Sequence, residues 1–219
     1  MMCSAHLPMG TGAEQTMGMP AIRRRWTADA VRRLNVATPS WPRYELIDGE
    51  LLVTPSPGLP HQIAVTQLLL LIAPYVERER LGIIITAPSD VELREGSITQ
   101  PDLYVMPAGP VAEDRGLSWT QGHQLVLAVE VLSPASVRTD RVTKRDFYME
   151  SGVAEYWIVD LESRLFERWV PTEATPQIDQ TTMSWRPAGS SAALSIDIHA
   201  YFGRVEQQAS WARRALELP

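Results

Sequence analysis

The sequence has little cysteine, no long apolar run and no surplus of positive charge, and each shortage excludes a class of protein. Cys3 is the single cysteine of 219 residues, so an intrachain disulfide cannot form and the apolar core has to stabilise the fold. The longest apolar stretch, from Leu68 to Ala73, ends at Pro74 and is far shorter than the roughly 18 residues that cross a bilayer. We therefore expect a cytoplasmic protein without a membrane partner.

Acidic residues outnumber basic ones in this chain. There are 20 lysines and arginines against 26 aspartates and glutamates, which gives a formal charge of −6. This balance excludes a protein that binds duplex DNA through overall positive charge, because such proteins neutralise phosphates with many basic side chains. It is compatible with carboxylates that hold a divalent cation, since a bound cation reverses the local field toward phosphate.

Length and composition predict one domain with an extension at each end. With 45% hydrophobic residues, the chain can bury one sizeable core but is short for two. Residues 1–25 mix Met, Gly, Ser, Thr and Pro without periodicity, so we expect a flexible N-terminal tail there. The folded domain is expected over residues 26–203, followed by a C-terminal helical tail over residues 204–219.

Periodicity predicts a mixture of helices and strands. Asp48-Gly49 lies between two apolar runs, which is a strong hairpin signal for residues 44–53. Apolar residues at helical spacing predict a helix over residues 61–80, which Pro74 is expected to kink. Further helices are expected over residues 27–34 and 140–151, and further strands over residues 83–86, 102–106, 125–132, 156–159, 165–170 and 183–186. The helix at 140–151 should connect its two flanking strands as a crossover.

Two carboxylates are conspicuous within the predicted strands. Asp102 follows Pro101 at the start of one strand, and Glu130 lies in a strand that is otherwise apolar on both faces, where a charge is costly. If the strands are neighbours, the carboxylates converge and would repel one another without a proton or cation between them. Hard oxygen ligands suit Mg²⁺ or Mn²⁺, and the main-chain carbonyl of Val131 could supply another oxygen. The alternative for Glu130 is a strand-end carboxylate that reaches solvent or pairs with an arginine such as Arg138.

The helix after the Glu130 strand offers a positive partner. Asp140, Lys144 and Tyr148 are spaced i, i+4 and i+8, which aligns them along one face. Lys144 could orient an attacking water and stabilise charge that develops on a phosphate, and Tyr148 could bind a phosphate oxygen or position the lysine. An acid and a lysine at this spacing more often form a solvated helix face, so that interpretation stays open for Asp140.

Several short motifs occur together in a recognisable order. They are Tyr44-Glu45-Leu46-Ile47-Asp48-Gly49-Glu50-Leu51, His61, Pro101-Asp102, Glu130-Val131-Leu132-Ser133-Pro134, and Asp140 to Tyr148 followed by Gly152-Val153-Ala154-Glu155-Tyr156-Trp157-Ile158-Val159-Asp160. Over about residues 40–203 the chain resembles the Uma-type family of restriction-endonuclease-like proteins. The resemblance implies a single endonuclease-like domain with a PD-(D/E)xK core: an α/β or α+β mixed sheet, flanking helices and an N-terminal β-hairpin.

The resemblance also implies roles for individual residues. Asp102 and Glu130 become the metal-binding acids, with Mg²⁺ or Mn²⁺ as the cofactor. The position two residues after Glu130, where the superfamily has its lysine, holds leucine, which implies that the lysine has moved onto the next helix as Lys144. Glu45 or His61 could complete the metal shell, although a polar strand position and a site near a helix N-terminus explain these two residues as well.

The expected function is Mg²⁺-dependent, endonuclease-like hydrolysis of phosphodiester bonds in DNA. Asp102 and Glu130 would bind the metal, Lys144 would activate water, and Tyr148 would assist with the phosphate. Two alternatives remain: a catalytically inactive nuclease-fold module for binding or assembly, and a metal-dependent phosphohydrolase of small nucleotides, which the acidic charge suits. Exposed strand edges could also pair two copies into a homodimer.

Overall fold

The computed structural model describes residues 26–38, 40–107 and 124–216, so the tail predicted for residues 1–25 lies outside the described residues. In chain order the elements are α1 (Ala28–Ala37), β1 (Arg43–Ile47), β2 (Glu50–Thr54), α2 (Leu59–Arg78), β3 (Gly82–Thr86), β4 (Leu103–Pro107), β5 (Leu127–Val131), a π-helix (Thr139–Lys144), α3 (Arg145–Glu150), β6 (Tyr156–Asp160), β7 (Leu165–Trp169), β8 (Gln177–Asp179), β9 (Thr182–Trp185), β10 (Leu194–Asp197) and α4 (Ile198–Leu216).

The N-terminal hairpin forms where the sequence predicts it, with β1 and β2 paired antiparallel over their whole length. The turn residues Asp48 and Gly49 have φ angles of 51° and 84°, the left-handed conformations that a two-residue hairpin turn requires. The preceding helix also begins as predicted, because the Thr27 side chain accepts a hydrogen bond from the Ala30 amide at 3.3 Å. Local turn and capping chemistry therefore sets this end of the fold.

The central sheet has six strands in the order β3-β4-β5-β6-β7-β8. Only β5 and β6 run parallel within it, and every other neighbouring pair is antiparallel. The π-helix and α3 connect the parallel pair, which confirms the predicted strand, helix, strand crossover. The mixed sheet with flanking helices confirms the fold class that the sequence predicted.

Strand alternation gives each face of the sheet its own apolar core. Val129 and Trp157 pack on the face covered by α2 and α4, whereas Ala128 and Ile158 pack on the face covered by α3. Glu130 follows the same alternation as Ala128. Its carboxylate therefore faces the π-helix and α3 from within a fully buried strand.

Helix α2 is, within the described ranges, the one helix whose length and composition would allow it to cross a membrane, with a mean hydropathy of 1.4. A core helix has the same composition, and α2 occupies such a position. Ala64, Leu68 and Ile72 along it are buried in the larger core cluster, and Tyr201 of α4 donates a hydrogen bond to the Ala64 carbonyl at 3.1 Å. Pro74 lies inside this helix, as predicted from the sequence.

The crossover helix differs from the regular α-helix expected over residues 140–151. Its first part is a π-helix, in which the Arg145 amide donates to the Asp140 carbonyl five residues earlier. Single π-turns are rare and occur frequently at functional sites. The strands β8 and β10, of three and four residues, were not predicted.

The C-terminal segment packs closely on the rest of the molecule. Helix α4 begins at Ile198, so the predicted boundary after residue 203 falls inside it. Val205 and Ala209, both beyond that boundary, are buried in the core that α2 also lines. The apolar spacing of α4 thus serves the main core.

Candidate active site

The start of β4 and the end of β5 lie side by side because the two strands are antiparallel, with Leu103 opposite Val129. This pairing places Asp102, just before β4, next to the end of β5. The Val131 amide donates a hydrogen bond to Asp102 Oδ2 at 2.9 Å, so Asp102 is fixed beside the residue that follows Glu130. Asp102, Glu130 and Val131 all line one small cavity of about 90 Å³.

The main-chain carbonyl of Val131 has a specific reason to be available. Continuing the β4–β5 register by two residues sets Val131 opposite Pro101. Proline has no N–H, so it cannot donate the ladder hydrogen bond that this carbonyl would otherwise accept. The Pro-Asp pair therefore ends the ladder and frees an oxygen at the same place.

Lys144 lies at the centre of a buried cluster of carboxylates. Its Nζ is 2.9 Å from Glu130 Oε1, 3.0 Å from Glu45 Oε2 and 3.8 Å from Asp140 Oδ1. Burial alone would lower the pKa of Lys144, but the three carboxylates together raise that pKa well above its usual value. A protonated Lys144 can donate hydrogen bonds and supply positive charge to the site.

Glu45 uses both carboxylate oxygens to hold other groups in place. Oε1 accepts the Gln100 amide at 2.7 Å, and Oε2 contacts Lys144 as well as the Thr54 hydroxyl, which is 3.4 Å away. Its side chain is 2% exposed, so these contacts are largely shielded from bulk solvent. In this geometry Glu45 anchors Lys144, both of its oxygens contact other groups, and its expected place in a metal shell stays a prediction.

Tyr148 lies behind Glu130. Its hydroxyl donates to Glu130 Oε1 at 3.1 Å, and the side chain is fully buried. Burial, followed by the Glu130 charge, raises the pKa of Tyr148 well above its usual value, so the phenol remains a donor. The structure therefore gives Tyr148 the geometry of a group that positions Glu130.

Negative charge exceeds positive charge in the cluster. Burial raises the pKa of Glu130 well above its usual value and raises the pKa of Asp140 to about 6, with Lys144 acting in the opposite direction in both cases. Asp140 Oδ1 is buried and accepts no hydrogen bond in the described part of the chain. The site is therefore suited to take up either protons or a cation.

His61, in the first turn of α2, contacts Asp102. Its Nε2 lies 3.0 Å from Asp102 Oδ2. Nδ1 is buried and has no hydrogen-bond partner among the described residues. Asp102 Oδ2 contacts His61 Nε2 and accepts a hydrogen bond from the Val131 amide. These contacts orient the carboxylate and leave Oδ1 as its free oxygen.

The oxygens that remain free define what a metal could use. Across residues 26–38, 40–107 and 124–216, no three His, Cys, Asp or Glu side chains form a group that could hold a metal ion by themselves. Asp102 Oδ1 and Glu130 Oε2 accept no hydrogen bond from these residues, and the Val131 carbonyl lies between their strands. Two carboxylates with a carbonyl fit Mg²⁺, which usually takes one or two carboxylates and leaves its other positions to water and substrate phosphate.

Comparison with known proteins identifies the family. A family model described as "Uma2: Putative restriction endonuclease" matches residues 28–197. The chain belongs to the Uma2 family. A crystal structure described as a putative nuclease belonging to DUF820 from Anabaena variabilis superposes with a TM-score of 0.66 at 16% identity, covering 82% of this chain and 99% of the other. No curated protein matches the chain significantly. Family and fold together support a nuclease function.

The position that departs from the superfamily pattern can now be described in three dimensions. Leu132, two residues after Glu130, is buried among apolar side chains of the α3 face. Lys144 instead supplies an ammonium to Glu130 from the π-helix. In this Uma2 family member, the lysine and the acid therefore meet across two elements. The residues that the sequence singled out for catalysis or metal binding all line the cavity or, as Tyr148 does, contact a residue that lines it, and their catalytic roles remain predictions.

Sequence reasoning missed Arg43, Trp41 and Gln100, all of which line the cavity. A signal for Arg43 was present, because it lies two residues from Glu45 on β1 and so shares its face.

Lys144 carries a further signal in the sequence, because it is the only lysine in the chain and all the other residues counted as Lys or Arg are arginines. A compact ammonium can be surrounded by three carboxylates, whereas a planar guanidinium cannot replace it in the same space.

Proposed function

We propose that this Uma2 family member is a Mg²⁺- or Mn²⁺-dependent endonuclease that hydrolyses phosphodiester bonds in DNA. The observation that supports this most is that the two oxygens of each acid, Asp102 and Glu130, have different surroundings. Glu130 Oε1 accepts hydrogen bonds from Lys144 and Tyr148, and Asp102 Oδ2 contacts His61 Nε2 and the Val131 amide. Each acid thus has one oxygen held by protein groups and one left for a cation on the cavity side.

The roles of the residues follow from their donors and acceptors. The chemistry that a metal between Asp102 and Glu130 supplies is polarisation of a phosphoryl oxygen and a lowered pKa for an attacking water. Lys144, which keeps its proton, donates a hydrogen bond to orient that water and stabilises negative charge that develops on the phosphate. Tyr148 and His61 hold the two acids in position. Asp140 has a free buried oxygen that can accept a proton.

A polymeric substrate is favoured over a small nucleotide by the surroundings of the site. The cavity of about 90 Å³ is too small for a nucleotide, but His61 and Ser133 also line a neighbouring groove of about 610 Å³. A chain that extends beyond the reacting phosphate has space in this groove. The same feature makes a small-nucleotide phosphohydrolase, which needs a closed pocket, the less suitable alternative.

The proposal predicts a specific pattern of substrates. Purified protein is expected to nick supercoiled plasmid in Mg²⁺ or Mn²⁺ and to do nothing in EDTA. Single-stranded DNA, RNA and nucleoside triphosphates should be tested in the same buffers, with products separated by electrophoresis and ion-exchange chromatography. Rapid release of phosphate from nucleotides without any strand breaks would favour the small-nucleotide alternative. Binding without breakage of any substrate would favour the non-cleaving module.

Divalent cations are also expected to stabilise the fold in a pH-dependent manner. At about pH 7.5 a ligand at 100 times its Kd stabilises by about 2.7 kcal/mol, which corresponds to an unfolding temperature higher by about 5–10 °C. Metal binding requires ionised carboxylates, and burial raises the pKa of Glu130, one of the proposed ligands, well above its usual value. The metal-induced rise in unfolding temperature should therefore shrink as the pH is lowered and Glu130 takes up a proton. Differential scanning fluorimetry with Mg²⁺ measures it, and an equal shift at pH 5 would contradict this site.

A further inference from the structure

Arg43 occupies the same face of β1 as Glu45 and lines the cavity together with Asp102 and Glu130. Its position comes from the hairpin register, in which it lies opposite Thr54, another residue of the cavity wall. The guanidinium is therefore part of the candidate site, and the nuclease motifs of the sequence do not include it.

The donors of Arg43 are free, in contrast to those of the other strong cation in the cavity. Lys144 contacts three carboxylates. The Arg43 side chain makes no hydrogen bond or ion pair with any residue in the described ranges, and its Cζ lies 4.0 Å from the centre of the Trp41 ring. Stacking on an aromatic ring holds a guanidinium in place without using its N–H groups. Arg43 is thus positioned, half-buried and available to bind a ligand.

The local charges indicate which kind of ligand it would bind. Burial lowers the pKa of Arg43, while the charges of Asp102, Glu45 and Glu130 oppose that shift, and a guanidinium in a protein remains charged at neutral pH. A charged guanidinium that pairs with none of these nearby carboxylates keeps its planar fork for another anion. Phosphate oxygens match that fork in two parallel hydrogen bonds.

We infer that Arg43, held by Trp41, forms a phosphate-binding subsite that contacts the substrate backbone beside the reacting phosphate. This inference rests on the proposed function, because it takes a phosphodiester chain as the ligand. Arg43 is a substrate-binding residue in this account, and Trp41 is a positioning residue. The alternative role for Arg43 is simple charge compensation, in which it offsets the acids from a distance and touches no substrate.

Equilibrium binding distinguishes a phosphate contact from charge compensation. Fluorescein-labelled single-stranded and duplex oligonucleotides are titrated with protein in Ca²⁺ by fluorescence anisotropy over a range of salt concentrations. Arg43→Ala is expected to weaken binding about 10- to 100-fold and to reduce the slope of log K against log salt by about 1, because one phosphate contact is lost. Arg43→Lys should keep the slope and lose part of the affinity. Trp41→Ala should weaken binding about fivefold.

Arg186→Ala is the matched control, since it removes the same charge from an exposed position at the other end of α2. Trp185, the residue before Arg186, contacts Tyr75 of α2. Tyr75 lies about 21 Å further along α2 than His61. Binding by this variant should stay within about twofold of wild type. Thermal unfolding of every variant shows whether it folds. If Arg43→Ala does not fold, Arg43→Lys still tests the contact, because it retains the aliphatic stem and the charge. A wild-type salt slope in Arg43→Ala, or an equal loss in Arg186→Ala, would overturn the subsite.

Cleavage measured beside binding separates this inference from the proposed function. If wild type cuts DNA and Arg43→Ala cuts and binds equally well, the subsite is wrong and the nuclease proposal stands. If wild type binds DNA without cutting it and Arg43→Ala shows the reduced slope, the subsite stands and the nuclease proposal fails. If wild type neither binds nor cuts any nucleic acid, both are overturned.

Discussion

Replacing Glu130 by glutamine is expected to lower metal-dependent plasmid cleavage by about 10³-fold or more while the protein stays folded. The neutral amide keeps an oxygen that can accept from Lys144 and Tyr148, which now hold Glu130 Oε1 at 2.9 Å and 3.1 Å. It removes the anionic oxygen that faces the cavity. Loss of several kcal/mol of transition-state stabilisation from a misplaced metal corresponds to this factor.

The stability of the same variant should change little. Burial raises the pKa of Glu130 well above its usual value, so its charge is costly in the folded protein, and glutamine removes that cost. Lys144 retains Glu45 at 3.0 Å. We expect the free energy of unfolding to change by less than about 1.5 kcal/mol in urea titrations. Glu173→Gln, at an exposed turn position, is the control with unchanged activity, and cleavage by Glu130→Gln above a tenth of wild type would exclude Glu130 as a metal ligand.

Replacing Lys144 by methionine is expected to lower the free energy of unfolding by about 3–5 kcal/mol and to abolish cleavage. The destabilisation follows because the carboxylates of Glu45, Glu130 and Asp140 would remain buried without their cation. It should shrink as the pH falls, because the buried carboxylates then take up protons, and without Lys144 the pKa of Asp140 lies above the value of about 6 that it has in the wild type. Urea titrations at about pH 7.5 and 5 measure this, and adding Glu45→Gln to the variant should restore part of the loss.

The same residue allows a direct test of its protonation. Because the chain has a single lysine, selective ¹⁵N-lysine labelling gives one side-chain signal in NMR spectra. The neighbouring carboxylates should keep the Lys144 pKa well above its usual value, so the signal should not titrate near neutral pH. Titration near pH 7 would instead make Lys144 a general base and contradict its role as a donor. Lys144→Arg should not rescue activity, since the planar group does not fit among three carboxylates.

The sequence predicts much of the fold because local chemistry determines its elements. Asp48-Gly49 specifies the hairpin turn, Thr27 caps α1, and the apolar run around Glu130 specifies a strand covered on both faces. The same run also indicates where the site lies, since a carboxylate buried in such a strand needs a partner. Asp102 and Glu130 could be linked only on the assumption that β4 and β5 are neighbours, which the pairing of Leu103 with Val129 confirms.

Other features of the site depend on contacts between distant residues and leave no local trace. Glu45 has the carboxylate oxygens that a metal ligand needs, but both oxygens contact protein groups, and one accepts a hydrogen bond from the Gln100 amide, 55 positions away. The π-turn at Asp140 has no known spacing signal in the sequence. Arg43 lies in an unremarkable strand segment, and only the hairpin register directs it into the cavity. These groups require the tertiary structure before their chemistry can be assigned.

The central claim, that Asp102 and Glu130 form a metal-dependent nuclease site, is tested most directly by plasmid nicking with wild type and Asp102→Asn side by side in Mn²⁺ and in EDTA. Asparagine keeps the side-chain oxygen that accepts the Val131 amide, so the strand pairing is retained. The account predicts Mn²⁺-dependent nicking by wild type, none in EDTA, and none by folded Asp102→Asn. Equal nicking by both proteins, or nicking that continues in EDTA, would contradict it.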